Sequence, residues 1–358
     1  MVKKRVLIVD DSVVMRALLS EIIAADPRLE VVGVAANGKI AIEKLTQLNP
    51  DIVTLDVEMP VLDGISTLKE LKKIKPKLPV IIVSALTEKG AQISLEALAN
   101  GAADCVAKPT QMGNADAAKK MFREQIIPKI YTLCSIQEQA LSTSPSVLSS
   151  VAKGECRLRP SVSNRVDLVV IGVSTGGPNA LEKVITKLPD DMPVPVALVQ
   201  HMPPVFTKSL AERLDSKSKV RVYEAEDGVS LLPGIVYIAP GGRHITINKE
   251  GLTLKLKTNM DPPENSCRPA VDVLFRSAVD IAGPNLLAVI MTGMGQDGFR
   301  GCELVAEKGG QVIVQDEASS VVWGMPGFVA RAGLAEKILP VGDIADEIVK
   351  RAKAKRLR

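Results

Sequence analysis

Long apolar runs, paired cysteines and histidine are all scarce in this chain of 358 residues. No stretch reaches the roughly 18 apolar residues of a membrane-spanning helix. Residues 6–9, between the charged amino-terminal segment and Asp10, are too few for the core of a signal peptide. The five cysteines, Cys105, Cys134, Cys156, Cys267 and Cys302, are odd in number, scattered and without a C-x-x-C pair. They argue against a disulfide framework or a zinc site and for a reducing, cytoplasmic setting. Positive charge is thin as well: of 45 Lys and Arg, six (Lys350, Arg351, Lys353, Lys355, Arg356 and Arg358) fall in the last nine residues, and the rest number 39 against 41 Asp and Glu. A polyanion binder carries its basic patch on the fold. A cationic end to a terminal helix is the plainer reading of this tail, so neither a nucleic-acid partner nor membrane insertion is expected.

With 46% hydrophobic and 24% charged residues, the composition is that of globular proteins, and the length suits about two domains. Apolar runs at residues 6–9, 31–35, 52–55, 80–83 and 105–107 alternate with helical periodicity, such as Met15, Leu18, Leu19, Ile22 and Ile23. A serine-rich stretch, with Ser142, Ser144, Ser146, Ser149 and Ser150 and later Arg157, Arg159 and Ser161, reads as exposed linker. A second series of apolar runs, 168–173, 194–199, 235–239, 286–291 and 311–314, follows, interrupted by a hairpin signal at 244–256. The expected fold class is α/β: two doubly wound, mainly parallel sheets, with domains at 1–124 and 165–358 and a linker at 125–164.

In such sheets the crevice lies beyond the strand ends, so polar residues there carry the chemistry. In the first series these are Asp10 and Asp11, Asp56, Ser84 and Lys108. Three converging carboxylates repel one another unless a hard cation such as Mg2+ neutralises them. With a lysine and a hydroxyl added, a phosphoryl group can be held, and the central carboxylate becomes a nucleophile for it. The plainer reading is that Asp10 and Asp11 cap the next helix and Lys108 is a surface charge.

These residues, with Met59-Pro60, Asp63-Gly64, Ala85 and Pro109, resemble the receiver domain of two-component response regulators over about residues 3–122. The resemblance implies that Asp56 accepts the phosphoryl group, that Asp10, Asp11 and the Glu58 carbonyl help to hold Mg2+, and that Ser84 and Lys108 sense the phosphoryl group. One position departs: Cys105 stands where receivers often carry an aromatic switch residue.

In the second series, Ser174-Thr175-Gly176-Gly177-Pro178 turns from a strand into a helix. Backbone amides there receive negative charge, which suits a bound phosphate or the oxyanion of acyl transfer. The turn lacks G-x-G-x-x-G and the P-loop lysine and also the G-x-S-x-G elbow, so partner residues decide. His201, one of two histidines, ends the next apolar run, and Asp297 sits in a glycine-rich loop after the run at 286–291. Ser174, His201 and Asp297 can fill the roles of nucleophile, base and orienter. Each alone is also explained as a cap or a turn residue.

The motifs around these three, together with Ala239-Pro240-Gly241-Gly242-Arg243-His244, Cys267-Arg268-Pro269-Ala270-Val271-Asp272 and Trp323-Gly324-Met325-Pro326, are similar to the catalytic domain of the CheB family of chemotaxis methylesterases. The resemblance implies a phosphorylation-activated hydrolase that demethylates glutamyl methyl esters, and deamidates glutamines, on methyl-accepting chemotaxis receptors, with the histidine kinase CheA as phosphodonor. By it, Ser174 is the nucleophile, His201 the base, Asp297 the orienter, the Met294 amide an oxyanion donor and Thr175 a positioning residue. No cofactor is implied for hydrolysis, and His244 is left a structural or cleft-lining role. The competing class is a phosphorylation-controlled adaptor or nucleotide-binding module without esterase activity.

Overall fold

The computed structural model describes residues 2–109, 115–135, 158–162 and 164–354. Residues 142–150, Cys156, Arg157 and the tail residues Lys355, Arg356 and Arg358 lie outside them. The chain divides into two units, Met1–Leu141 and Ser142–Arg358.

Five strands of the first unit, β1 (Lys4–Val9), β2 (Leu29–Ala35), β3 (Ile52–Asp56), β4 (Val80–Ser84) and β5 (Asp104–Ala107), alternate with α1 (Val13–Ala24), α2 (Gly38–Leu48), α3 (Gly64–Ile74), α4 (Glu88–Ala99) and α5 (Ala115–Leu133). All pairings are parallel, in the order β2-β1-β3-β4-β5. Strands buried on both faces read as near-continuous apolar runs, and β3 and β4, buried along their whole length, are apolar except for Thr54 and their terminal Asp56 and Ser84. The first four helices start at Ser12, Asn37, Asp63 and Thr87, whose side-chain oxygens accept a backbone N–H three residues on. Each such cap contributes about 1 kcal/mol. The order reverses between β1 and β3, which places the crevice at their carboxyl ends.

The second unit holds seven parallel strands in the order β14-β13-β12-β6-β7-β9-β8. They are β6 (Leu168–Val173), β7 (Val196–Gln200), β8 (Arg221–Glu224), β9 (Ile235–Ile238), β12 (Leu286–Ile290), β13 (Gln311–Gln315) and β14 (Lys337–Leu339). The hairpin is β10 (His244–Glu250) with β11 (Thr253–Asn259), antiparallel. The helices are α6 (Gly177–Ile185), α7 (Phe206–Asp215), α8 (Val271–Ala282), α9 (Phe299–Glu307), α10 (Met325–Arg331) and α11 (Val341–Lys353). Among the described residues no helix is long and apolar enough to cross a membrane.

Parts of the span expected as linker belong to the units they adjoin. Helix α5 continues past residue 125 to Leu133, because Ile126, Ile127, Ile130 and Tyr131 recur at helical spacing and are buried in the first core. At the other end Arg159 donates to the Gly310 carbonyl at 2.7 Å and Ser161 to Glu336 at 3.2 Å, within the second unit. The tail reading also needs correcting at Arg351. Rather than a solvated cation, it is buried, 2.7 Å from Glu336 and 2.8 Å from Glu347. Lys353 does sit in the last turn of α11, paired with Asp191.

Candidate functional site

At the β1/β3 crevice Asp10 and Asp56 are buried while Asp11 is exposed, and one oxygen of each lies within 4.8 Å of the others. Neither Asp10 nor Asp11 caps α1; Ser12 does, and Asp10 Oδ1 instead accepts the Ser12 amide at 2.8 Å. Lys108 stands 2.8 Å from Asp56 Oδ2 and 3.0 Å from Asp10 Oδ2. Its backbone is fixed by an amide hydrogen bond to the Ser84 carbonyl, across the β4–β5 edge. Burial pushes the Asp56 carboxyl above its ordinary range, Lys108 pulls it back, and Asp10 pushes it up again. Burial alone would lower Lys108, but its hydrogen bonds to Asp56 and Asp10 outweigh that and raise it.

The cluster remains two negative charges in excess, three carboxylates against one ammonium. Repulsion between two carboxylates at this range costs about 3 kcal/mol at an effective dielectric of about 20. Asp10 Oδ2 is buried and accepts no well-formed hydrogen bond beyond its ion pair with Lys108. A hard divalent cation fits this oxygen set. The Glu58 amide, 3.4 Å from Asp56 Oδ1, brings that peptide beside the carboxylate. Ser84 ends β4, buried, with its hydroxyl on the Gly90 carbonyl at 3.1 Å. Cys105, on β5, is buried, and its thiol is pushed up to about 12, chiefly by desolvation.

In the second unit the strand order reverses at β6, which lies between β12 and β7. Ser174, His201 and Asp297 follow the ends of these three adjacent strands. Val173 pairs with Gln200, and His201 N–H bonds the Val173 carbonyl, so the Ser174 and His201 backbones lie side by side. Ser174 does not cap α6: Gly176 is the N-cap, with φ of +78°, a conformation open to glycine.

His201 Nε2 lies 2.8 Å from Asp297 Oδ2. That carboxylate also fails to cap the helix that follows it. It sits at the start of α8, where Ala270 has no side chain to serve as a cap. Asp297 Oδ2 accepts the Val271 amide at 2.7 Å, and Oδ1 accepts Asp272 N–H at 3.0 Å, Gly298 N–H at 3.0 Å and Asn265 Nδ2 at 2.9 Å. Helix N-termini favour anions. Burial would raise Asp297, but the hydrogen bond and charge of His201 and these amides hold it below the carboxylate range. Neighbouring Asp272, desolvated and facing Asp297, is pushed up to about 6. Two adjacent carboxyls thus have their affinities for protons driven apart.

His201 Nδ1 points away from Asp297, and Cys267 Sγ lies 3.6 Å from it. Burial lowers the imidazole, but its contacts with the Cys267 sulfur and the Asp297 carboxylate more than reverse this and carry it to about 10. Among the described residues no hydrogen bond joins the Ser174 hydroxyl to His201. Met294 N–H donates to no described group, and Thr175 is buried behind the turn, its carbonyl taking the Thr292 hydroxyl at 2.9 Å. His244 is fully buried; its Nδ1 accepts the Ala270 amide at 3.1 Å, which leaves Nε2 to donate to the Pro262 carbonyl at 3.2 Å. It braces the loop before α8. Residue types and spacing assigned no role to Asn265, Asp272 or Cys267, although the last two lie in the quoted 267–272 motif.

A receiver fold with three carboxylates and a lysine gathered at its crevice, followed by an α/β fold with a serine, histidine and aspartate on adjacent strand ends, defines a response regulator whose output domain is a hydrolase. Residues 6–118 match the response regulator receiver domain and residues 169–348 the CheB methylesterase family. A protein-glutamate methylesterase/protein-glutamine glutaminase from Trichodesmium erythraeum is 49% identical over 98% of this chain and 99% of its own length. One from Nocardioides sp. is 47% identical over 97% of this chain and 95% of its own. The solved CheB methylesterase catalytic domain of Thermotoga maritima is 44% identical, with a TM-score of 0.51, covering 52% of this chain and 99% of that one. The chain belongs to the CheB family of protein-glutamate methylesterases/protein-glutamine glutaminases.

Proposed function

We propose that this chain is a phosphorylation-regulated protein-glutamate methylesterase and protein-glutamine glutaminase acting on methyl-accepting chemotaxis receptors. The observation that carries the reading is the His201 Nε2–Asp297 contact at 2.8 Å on the strand end next to Ser174. In the deprotonated form of the ring Asp297 fixes the remaining proton on Nε2, which leaves the lone pair of Nδ1 to accept the Ser174 proton. The serine oxygen attacks the ester carbonyl, and the free Met294 amide receives the oxyanion. His201 then returns the proton to the departing methoxide, and methanol leaves a glutamyl-serine ester. Water, deprotonated by the same nitrogen, releases glutamate and restores Ser174. With a glutamine side chain the leaving group is ammonia and the remaining steps are unchanged.

In the first unit Asp56 would take a phosphoryl group from a chemotaxis histidine kinase, with Lys108 offsetting the charge on its oxygens. Mg2+ held by Asp10, Asp11 and Asp56 would neutralise the remaining excess and polarise the phosphoryl group. Phosphorylation at Asp56 regulates hydrolysis by shifting the population of active enzyme.

The direct test is methanol release from methylated receptor by the full chain. Ser174→Ala should lose about 10³-fold or more of the rate with an unaltered melting temperature. Wild-type release from that variant would overturn the assignment.

A further inference from the structure

His201 Nδ1 has a neighbour that ester hydrolysis does not use. Cys267 Sγ, in the loop between β11 and α8, is 3.6 Å away. A zinc ion bonded to a thiolate at about 2.3 Å and to an imidazole nitrogen at about 2.0–2.1 Å, at a tetrahedral angle, holds the two donors about 3.5 Å apart. Sulfur and nitrogen thus already stand at the separation that one shared ion would impose. The ring is also set as metal-bound imidazoles are, with its other nitrogen on a carboxylate at 2.8 Å.

Asp297 is placed behind the histidine rather than as a third ligand, because His201, Asn265 and the amides of Val271, Asp272 and Gly298 occupy both its oxygens. Cys267 is partly exposed, whereas Cys105, Cys134 and Cys302 are buried. A cation from solvent can reach this one.

We propose that Cys267 Sγ and His201 Nδ1 form a two-point site for a thiophilic divalent cation such as Zn2+, water completing its shell, and that occupation shuts off ester hydrolysis. The inhibition rests on the reading of His201 as base, since the metal takes the lone pair that the Ser174 proton requires. Binding requires both donor atoms to be deprotonated, so the proton they share passes to solvent as the ion enters. Sulfur selects zinc over magnesium, which keeps this site separate in chemistry from the oxygen-only cluster around Asp56.

The test uses the full chain with excess Mg2+ present and Co2+ as the spectroscopic substitute for zinc. A saturable sulfur-to-cobalt charge-transfer absorption is expected, with one proton released per ion, and its loss in Cys267→Ser. In parallel, Zn2+ should inhibit methanol release, with recovery on adding EDTA. Cys267→Ser and Cys267→Ala should need at least about tenfold more zinc, each scored against its own zinc-free rate. Absence of the absorption, or an equal absorption in Cys267→Ser, would overturn the site. A normal absorption with undiminished ester release would instead overturn the inhibition and, with it, His201 Nδ1 as the base.

Discussion

Asp297 Oδ2 contacts Nε2 of His201 and not Nδ1, at 2.8 Å, so the ring works through the nitrogen nearer its own backbone. Replacing Asp297→Asn keeps the shape but removes the charge, and one amide NH2 must then face a donor that the carboxylate accepted. Five donors converge on Asp297, and an amide has one oxygen to offer them. The expected outcome is a fall in kcat of about 10³–10⁴-fold, in the range seen when a triad aspartate elsewhere is made asparagine, with a lowered melting temperature. Methanol release and calorimetry check the two parts separately. A near-wild-type kcat would remove Asp297 from the mechanism.

The pH profile should report Cys267. A protonated His201 cannot accept the Ser174 proton, so kcat/KM rises with pH through the imidazole pKa. Burial lowers that pKa, while Cys267 and Asp297 raise it, the net result being about 10. Cys267→Ala removes a raising contribution and leaves the lowering one. The midpoint of the pH–rate curve should therefore move to lower pH, by about one unit or more. A midpoint that stays in place would show that the sulfur carries no charge beside the ring.

Much of this was legible beforehand because buried parallel strands must be apolar and their polar terminators mark the crevice. All ten expected apolar runs became strands, and the hairpin at 244–256 became β10 and β11. The strands β8 and β14 were missed. Both lie at sheet edges, where solvent on one side lets Arg221, Tyr223 and Lys337 break the apolar signature. The far end of α5 was missed because Pro128, which lacks an N–H, interrupts an otherwise periodic face. At the second site the three strand-end residues were readable, but the Asn265, Asp272 and Cys267 contacts were not. They come from a loop and a helix start that reach His201 and Asp297 only through tertiary packing.

Gly64 explains why the receiver motif needs glycine after Asp63. A Cβ there would lie 2.3 Å from the Asp56 carbonyl oxygen and 2.5 Å from Val57 Cα, both backbone atoms that cannot swing aside. Gly64→Ala should displace α3 from the end of β3, costing about 1–3 kcal/mol. It should also slow phosphorylation by moving the Asp56 peptide. Urea unfolding of the first unit measures the first effect, and phosphate incorporation the second. Unchanged stability would mean that α3 shifts freely.

Regulation is tested by separating the units at the right residue. Arg159, Ser161 and Asn164 hydrogen-bond to Gly310, Glu336, Pro284 and Gly309, so a hydrolase fragment beginning at residue 165 would lose contacts of its own unit. A fragment of residues 158–358 keeps them. If the unphosphorylated first unit restrains hydrolysis, this fragment should release methanol from methylated receptor faster than the full chain without a phosphodonor. Adding a phosphodonor and Mg2+ should raise the full chain toward the fragment's rate. Asp56→Asn, which cannot form the acyl phosphate, should show no rise. Equal rates for fragment and unphosphorylated chain would reject restraint, and a phosphodonor response in Asp56→Asn would move the acceptor elsewhere.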